Sequence, residues 1–183
     1  MAMPITLPIY TVDMLRDFPQ DGNRYELLEG FLIVTPAPSP PHQIVATRLV
    51  VAIEPYLAAA GLAYAVCVGE IERAPKTHLE PDLLVFPATA PPSKGWKAFR
   101  NWWLAVEVFS PSSHIYDRNY KRNAYLALGV REVWLVDLLE KKVLVSRRGG
   151  PTDQPVRDVL HWHPPEMPAP LSIDLVRLFA GLD

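Results

Sequence analysis

The chain has 183 residues, of which 49% are hydrophobic and 21% are charged, and its formal net charge at pH 7 is −2. This length is sufficient for one domain with a sizeable core, so we predict a single domain over residues 1–183. The balanced charge argues against a protein that binds nucleic acid tightly at all times, because such proteins carry a basic excess. It leaves room for a local basic groove.

The single cysteine, Cys67, cannot form an internal disulfide, which fits a reducing compartment. It lies in an apolar run, and we therefore expect its thiol to be buried. The N-terminus lacks the basic and apolar regions of a signal peptide, and we find no apolar run that approaches a membrane span in length. These features predict a cytoplasmic protein without a membrane partner.

Hydrophobic periodicity and turn signals divide the chain into mixed helices and strands. In chain order they predict helix Thr11–Phe18, strands Tyr25–Glu29 and Phe31–Thr35, helix His42–Ala60, strands Leu62–Ile71, Pro81–Phe86 and Trp102–Phe109, helix Ile115–Leu128, strands Arg131–Asp137, Lys142–Arg147 and Val156–Trp162, and helix Leu175–Phe179. This order indicates an α/β or α+β domain with a central mixed sheet flanked by helices and an N-terminal β-hairpin.

Two acidic residues belong to predicted strands. Glu107 lies in an apolar run, where alternation places it on one face with Ala105 and Phe109. Asp82 follows Pro81 at the entry of another strand. Buried carboxylates are costly unless a cation, a metal or hydrogen bonds compensate them. The alternatives are a turn role for Asp82 and an arginine partner for Glu107.

The predicted helix Ile115–Leu128 carries Asp117, Lys121 and Tyr125 at intervals of four, so the three share one face. Helical side chains lean towards the helix N-terminus, so Lys121 would reach back towards the strand end with Glu107. An ordinary surface ion pair is the alternative. Mg²⁺ prefers carboxylate oxygens, and a lysine adds positive charge near a phosphate. The set therefore predicts a metal-dependent phosphodiesterase site.

Pro81-Asp82 followed by Glu107 on the next strand resembles the PD-(D/E)XK superfamily of restriction-endonuclease-like proteins. More closely, the chain resembles the Uma family of restriction endonucleases over about residues 10–148. The motifs that carry this likeness are RYELLEG (Arg24–Gly30), His42, PDLLVF (Pro81–Phe86), VEVFSPSS (Val106–Ser113), D-x-x-x-K (Asp117–Lys121) and YLALGVREVWLVD (Tyr125–Asp137).

The resemblance implies a restriction-endonuclease-like core, a Mg²⁺ or Mn²⁺ cofactor and cleavage of DNA. Carried over by position, Asp82 and Glu107 would be the metal ligands, and both would be catalytic together with Lys121. The chain departs from the plain superfamily pattern because the lysine expected two residues after the glutamate is Phe109. Lys121 on the following helix is the expected substitute.

Further residues complete the predicted site. Glu26, His42 and Asp117 are accessory candidates, although Glu26 could be a solvent-exposed hairpin residue and His42 a helix cap. Lys94, Lys97 and Arg100 lie beside Trp96 in one loop, a mixture that can contact phosphates and stack on bases, and they are the predicted substrate-binding residues.

We expect DNA as a weak or transient partner and a homodimer or higher homo-oligomer, because cutting two strands commonly takes two sites. The near-neutral charge and the missing lysine at position 109 keep an alternative open. In that alternative the chain is a catalytically inactive nuclease fold that serves interaction or dimerisation. Dependence of Mg²⁺ or Mn²⁺ binding on Asp82 distinguishes the two.

Overall fold

The structure, a computed structural model, describes residues 8–109 and 120–182. Its helices are α1 (Pro40–Ala60), α2 (Arg122–Leu128) and α3 (Leu175–Leu178), with 3-10 helices at Val12–Asp17, Pro92–Lys94 and Trp96–Ala98. Its strands are β1 (Arg24–Leu28), β2 (Phe31–Thr35), β3 (Ala63–Cys67), β4 (Ile71–Arg73), β5 (Thr77–Leu79), β6 (Leu83–Pro87), β7 (Leu104–Phe109), β8 (Glu132–Asp137), β9 (Lys142–Arg147), β10 (Gln154–Val156), β11 (Val159–Trp162) and β12 (Leu171–Asp174).

A six-stranded sheet in the order β10-β9-β8-β7-β6-β3 forms the centre. Strands β7 and β8 are parallel, and the other neighbours are antiparallel, so the sheet is mixed as predicted. Every residue of β7 and β8 is buried, which explains why both read as continuous apolar runs. The predicted α+β fold with a central mixed sheet is confirmed.

The two faces of this sheet pack against different elements. One face carries Leu104, Val106 and Val108 and packs against α1 and the C-terminal strands. The other face carries Ala105 and Phe109 and packs against α2. Ile71 and Leu79 of the small sheet β2-β1-β5-β4 join that second core. The alternation predicted for the Glu107 strand is therefore confirmed.

Helix α1 ends at Gly61, whose left-handed backbone (φ 66°) accommodates the predicted cap. By length and composition alone, its 21 residues would suffice to cross a membrane, which the sequence analysis did not anticipate. Five of them, Val45, Ala46, Leu49, Ile53 and Leu57, are buried against the sheet. That packing is typical of a core helix in a globular domain.

Two predicted strands were wrong, and strands β5 and β12 were not predicted. Leu62–Ile71 is two strands in different sheets, because the backbone turns at Val68 (φ 54°) and leaves the central sheet. Val156–Trp162 likewise divides into β10 and β11. Strand β5 has three residues and gave no periodic signal. Cys67 is exposed at the edge strand β3 rather than buried.

The remaining predicted elements agree with the observed ones within a few residues. The predicted hairpin is β1 and β2, with Glu29 and Gly30 at its turn, both in the left-handed region. The predicted helix Thr11–Phe18 is the 3-10 helix Val12–Asp17. Helix Ile115–Leu128 is described only in its C-terminal part, and Asp117 lies outside the described residues.

Candidate active site

Three buried carboxylates come from separate strand segments, and one buried lysine contacts two of them. Glu26 is fully buried on β1, Asp82 is 5% exposed just before β6, and Glu107 is 3% exposed on β7. Lys121, at the start of α2, is itself only 2% exposed. Four buried ionisable groups in one place are costly for folding unless they neutralise one another, and such clusters are frequent at functional sites.

Lys121 joins two of these carboxylates. Its Nζ lies 2.6 Å from Oε2 of Glu26 and 3.3 Å from Oε1 of Glu107. The predicted lean of Lys121 towards Glu107 is confirmed, and a surface ion pair is excluded by its burial. Glu26 is not a solvent-exposed hairpin residue, since its Oε1 also accepts a hydrogen bond from the Glu80 backbone N–H at 2.8 Å.

Tyr125 holds Glu107 from the side of α2. Its hydroxyl donates to Oε1 of Glu107 at 2.5 Å, the same oxygen that Lys121 contacts. Tyr125 is fully buried and lies one helical turn after Lys121. The spacing of four that predicted a shared face therefore places both side chains on one carboxylate. Tyr125 was not named as a site residue from the sequence, although that spacing was its signal.

The Asp82 carboxylate contacts one backbone N–H and two side chains. Its Oδ2 accepts from the Val108 N–H at 2.8 Å and lies 2.9 Å from His42 Nε2, while its Oδ1 accepts from Arg24 Nη1 at 3.0 Å. Burial alone would raise the pKa of Asp82, but the neighbouring His42, Arg24 and the backbone N–H outweigh it and lower that pKa. Asp82 is thus kept as a carboxylate.

The register of the sheet explains why Asp82 and Glu107 are neighbours. Leu83 of β6 lies opposite Val106 of β7, so continuing that antiparallel register places Asp82 opposite Glu107. Regular pairing ends there, and the Asp82 side chain takes over as acceptor for the next N–H of β7. Because β7 is central, this arrangement keeps both acids inside the domain while β6 begins beside them.

Of the two side chains that contact Asp82, the sequence predicted one as a site residue and not the other. His42 was an accessory candidate with capping as its alternative, and the structure brings it to Asp82 from the first turn of α1. Arg24 was quoted only within the RYELLEG motif. Its signal was the period of two in β1, which puts it on the same face as Glu26. Burial lowers the pKa of Arg24, but Asp82, Glu107 and Glu26 raise it overall, so it stays charged.

The three predicted substrate-binding residues lie elsewhere. Lys94, Lys97 and Arg100 are exposed in the loop between β6 and β7, and Lys97 pairs with Glu72 at 3.1 Å. Within residues 8–109 and 120–182, no recorded contact joins them to the carboxylates. Phe109, where the superfamily lysine is expected, is buried in the apolar core. Trp102 and Trp103 are likewise core residues.

The donor set suits Mg²⁺ or Mn²⁺, because three carboxylates offer the hard oxygen ligands that these ions prefer. In the described part of the chain, however, no three acids or histidines converge in an arrangement ready to hold a metal. The contacts explain this, since Arg24 and His42 engage Asp82 and Lys121 lies between Glu26 and Glu107. Metal binding would compete with the Arg24 and Lys121 contacts, which Asp82 and Glu107 would have to give up to the ion.

The pair of Glu80 and His78 supports Arg24 from the side away from Asp82. His78 Nε2 lies 3.2 Å from Oε1 of Glu80, and Glu80 in turn pairs with Arg24. The Glu80 hydrogen bond outweighs burial and, with the charges of Glu80, Glu70 and Glu72, raises the pKa of His78. When it is protonated, His78 helps to hold Glu80 against Arg24.

We expect His78→Gln to destabilise the protein in a pH-dependent way. Because the folded pKa of His78 is raised, its contribution is fully present below the unfolded value of about 6.5 and is lost as pH rises through the folded pKa. Urea unfolding of the parent and the variant from pH 5.5 to 9 measures the difference in free energy of unfolding. His161→Gln, an exposed histidine on β11, is the control. A difference that does not change with pH contradicts the expectation.

Comparison with known proteins relates the chain to a family model and to a solved structure. Residues 12–176 match the model of the Uma2 family, whose description is "Putative restriction endonuclease". A solved structure, "Crystal structure of a putative nuclease belonging to DUF820 from Anabaena variabilis ATCC 29413", aligns with a TM-score of 0.70. The identity is 20%, and the alignment covers 93% of this chain and 97% of that one, which supports the fold. A search among curated proteins found no match.

Proposed function

Because the chain belongs to the Uma2 family of restriction-endonuclease-like proteins, we propose that it is a metal-dependent endonuclease that hydrolyses phosphodiester bonds in DNA. One observation carries the proposal above all. Glu26 and Glu107 are buried and contact a buried lysine, Lys121, and buried Asp82 lies opposite Glu107 where β6 begins beside β7. A domain core gains little stability from such a cluster, so a catalytic role accounts for it better than a structural one.

In this proposal Asp82 and Glu107 are the ligands for Mg²⁺ or Mn²⁺. When bound, the ion would neutralise charge on the phosphoryl oxygens and lower the pKa of a water molecule. The chain fixes each ligand beforehand. Val108 N–H and His42 orient Asp82, and the Tyr125 hydroxyl orients Glu107. Such partners around a ligand set its direction and raise its affinity for metal.

Lys121 takes the role of the lysine that Phe109 replaces. Its ammonium is held beside Glu107 by Glu26, so it would stay next to a phosphate bound at the two ligands after the ion takes its place on Glu107. A positive charge fixed in a site that excludes water stabilises the developing negative charge more than it would in solution. Glu26 is then a positioning residue, which acts on the reaction through Lys121.

We expect Asp82→Asn and Glu107→Gln each to lower DNA cleavage by at least about 100-fold, because each removes an anionic ligand. Cleavage of supercoiled plasmid with Mg²⁺ or Mn²⁺, together with calorimetric Mn²⁺ titration, measures both effects. The matched control is Glu132→Gln. It alters a buried carboxylate that is paired with Arg147 and lies at the first residue of β8.

The inactive interaction module is the second candidate, since three cationic or histidine side chains already engage the acids. A folded parent protein that neither cleaves DNA nor binds Mn²⁺ through Asp82 supports that candidate. Cleavage that survives both substitutions would place the chemistry away from this site. The homodimer stays a prediction, and sedimentation of the parent protein accompanies these assays.

A further inference from the structure

An open cavity of about 410 Å³ lies between β3, the end of β6 and the loop that leads to β7. Four of its lining residues are aromatic. Phe86 and Phe99 are buried with ring centroids 4.4 Å apart. Tyr64, 37% exposed, and half-buried Trp96 contact Phe86 with centroids 5.7 and 5.9 Å away. The cavity therefore has a buried aromatic floor and two aromatic side chains that reach solvent.

The aromatic residues of this cavity are on the same face of the sheet as the candidate active site. Asp82, Leu84 and Phe86 alternate along β6, and Leu84 and Phe86 share one core with Tyr125, which holds Glu107. Phe86 follows Asp82 by four residues, a distance of about 13 Å along an extended strand. That is roughly four steps of a stacked nucleotide strand at 3.4 Å each.

The loop beside the cavity has the charge that a polynucleotide backbone requires. Residues 88–103 contain Lys94, Lys97 and Arg100 and no aspartate or glutamate, whereas the whole chain has a net charge of −2. All three cations are exposed, and two of them lie within two residues of Trp96. Glu54 of α1 also lines the cavity, from the other side of the edge strand β3. Lys97 also forms an ion pair with Glu72, whose Oε1 lies 3.1 Å from the Lys97 Nζ.

We propose that this cavity binds an unpaired nucleobase of a DNA strand, which stacks on Trp96 and Tyr64 while the loop cations contact its phosphates. Aromatic side chains next to cations are the usual means of holding single strands, because every base presents a face that can stack. The inference rests on the proposed nuclease function for its biological meaning. The binding itself needs no catalysis and can be tested without metal.

The test is the affinity of the full chain for a fluorescent oligothymidylate, measured by anisotropy in EDTA so that cleavage plays no part. Trp96→Ala and Tyr64→Ala should each weaken binding by about tenfold, and Trp96→Phe should keep most of it. Phe31→Ala, which removes an exposed aromatic ring from the edge strand β2, should leave it unchanged. Lys94→Gln should lower the slope of log affinity against log salt by about 0.7.

Circular dichroism and thermal melts identify any variant that fails to fold. If Trp96→Ala fails to fold, the comparison of Tyr64→Ala and Trp96→Phe with the parent still tests the proposal. A parent protein that does not bind the oligonucleotide, or variants that bind it like the parent, would overturn the proposal. A change of sedimenting mass in Trp96→Ala with unchanged binding also overturns it, because the cavity would then face a second copy. Loss of cleavage in Asp82→Asn with intact binding keeps this site and the nuclease proposal separate.

Discussion

Lys121→Met should lower the free energy of unfolding by about 3–5 kcal/mol, because it removes the cation from two buried carboxylates. Glu26 is 0% exposed and Glu107 3%, so water cannot replace the ammonium on either one. The rate of DNA cleavage by the same variant should fall by at least about 100-fold. Urea unfolding and plasmid cleavage measure the two effects.

Added Mn²⁺ and a second substitution show whether Lys121→Met loses stability because two buried carboxylates are left without a cation. Mn²⁺ should raise the melting temperature of Lys121→Met more than that of the parent, since Glu26 and Glu107 would then be available to the ion. Glu26→Gln combined with Lys121→Met should recover part of the stability, because one buried charge disappears. Lys142→Met, which breaks a 3.8 Å pair with Asp137, is the control. Equal stability of the parent and Lys121→Met would contradict the buried ion pair.

The central strands were predictable because burial on both faces leaves a continuous apolar run. Strand β8 has that composition between Glu132 and Asp137, and β7 has it except at Glu107, which is conspicuous for this reason. The alternation along β7 also gave the face on which Glu107 lies, and the helical spacing of four gave Lys121 its direction. These are local patterns, and local patterns are what a single sequence contains.

The partners of the acids were harder to predict, because they come from distant parts of the chain. Arg24 and His42 reach Asp82 across 58 and 40 residues, and no periodicity links them. Glu26 could not be separated from an ordinary hairpin glutamate until Lys121 was seen beside it. The short strands β4 and β5 failed for another reason. Three residues are too few for a periodic signal, and the turn at Val68 depends on tertiary packing rather than on a favourable residue.

Arg24→Met is expected to have opposite effects on metal binding and on catalysis. Arg24 Nη1 donates to Oδ1 of Asp82 at 3.0 Å, an oxygen that a metal at this ligand would need. Removing the guanidinium should therefore raise the affinity for Mn²⁺ by about tenfold, the value of one hydrogen bond to a charged group. Cleavage should nevertheless fall by about tenfold or more, because an arginine displaced from Asp82 is well suited to hold a DNA phosphate beside the ion.

Calorimetric Mn²⁺ titration and single-turnover cleavage at saturating metal separate the two effects. Arg147→Met, which breaks the pair with Glu132 at 3.0 Å, should change neither. A lower affinity for Mn²⁺ in Arg24→Met would mean that Arg24 supports Asp82 as a ligand instead of competing with metal. Unchanged cleavage would mean that the displaced guanidinium does not reach the substrate. Only an increase in affinity together with a loss of cleavage fits an arginine that gives up Asp82 to the metal and turns to the phosphate.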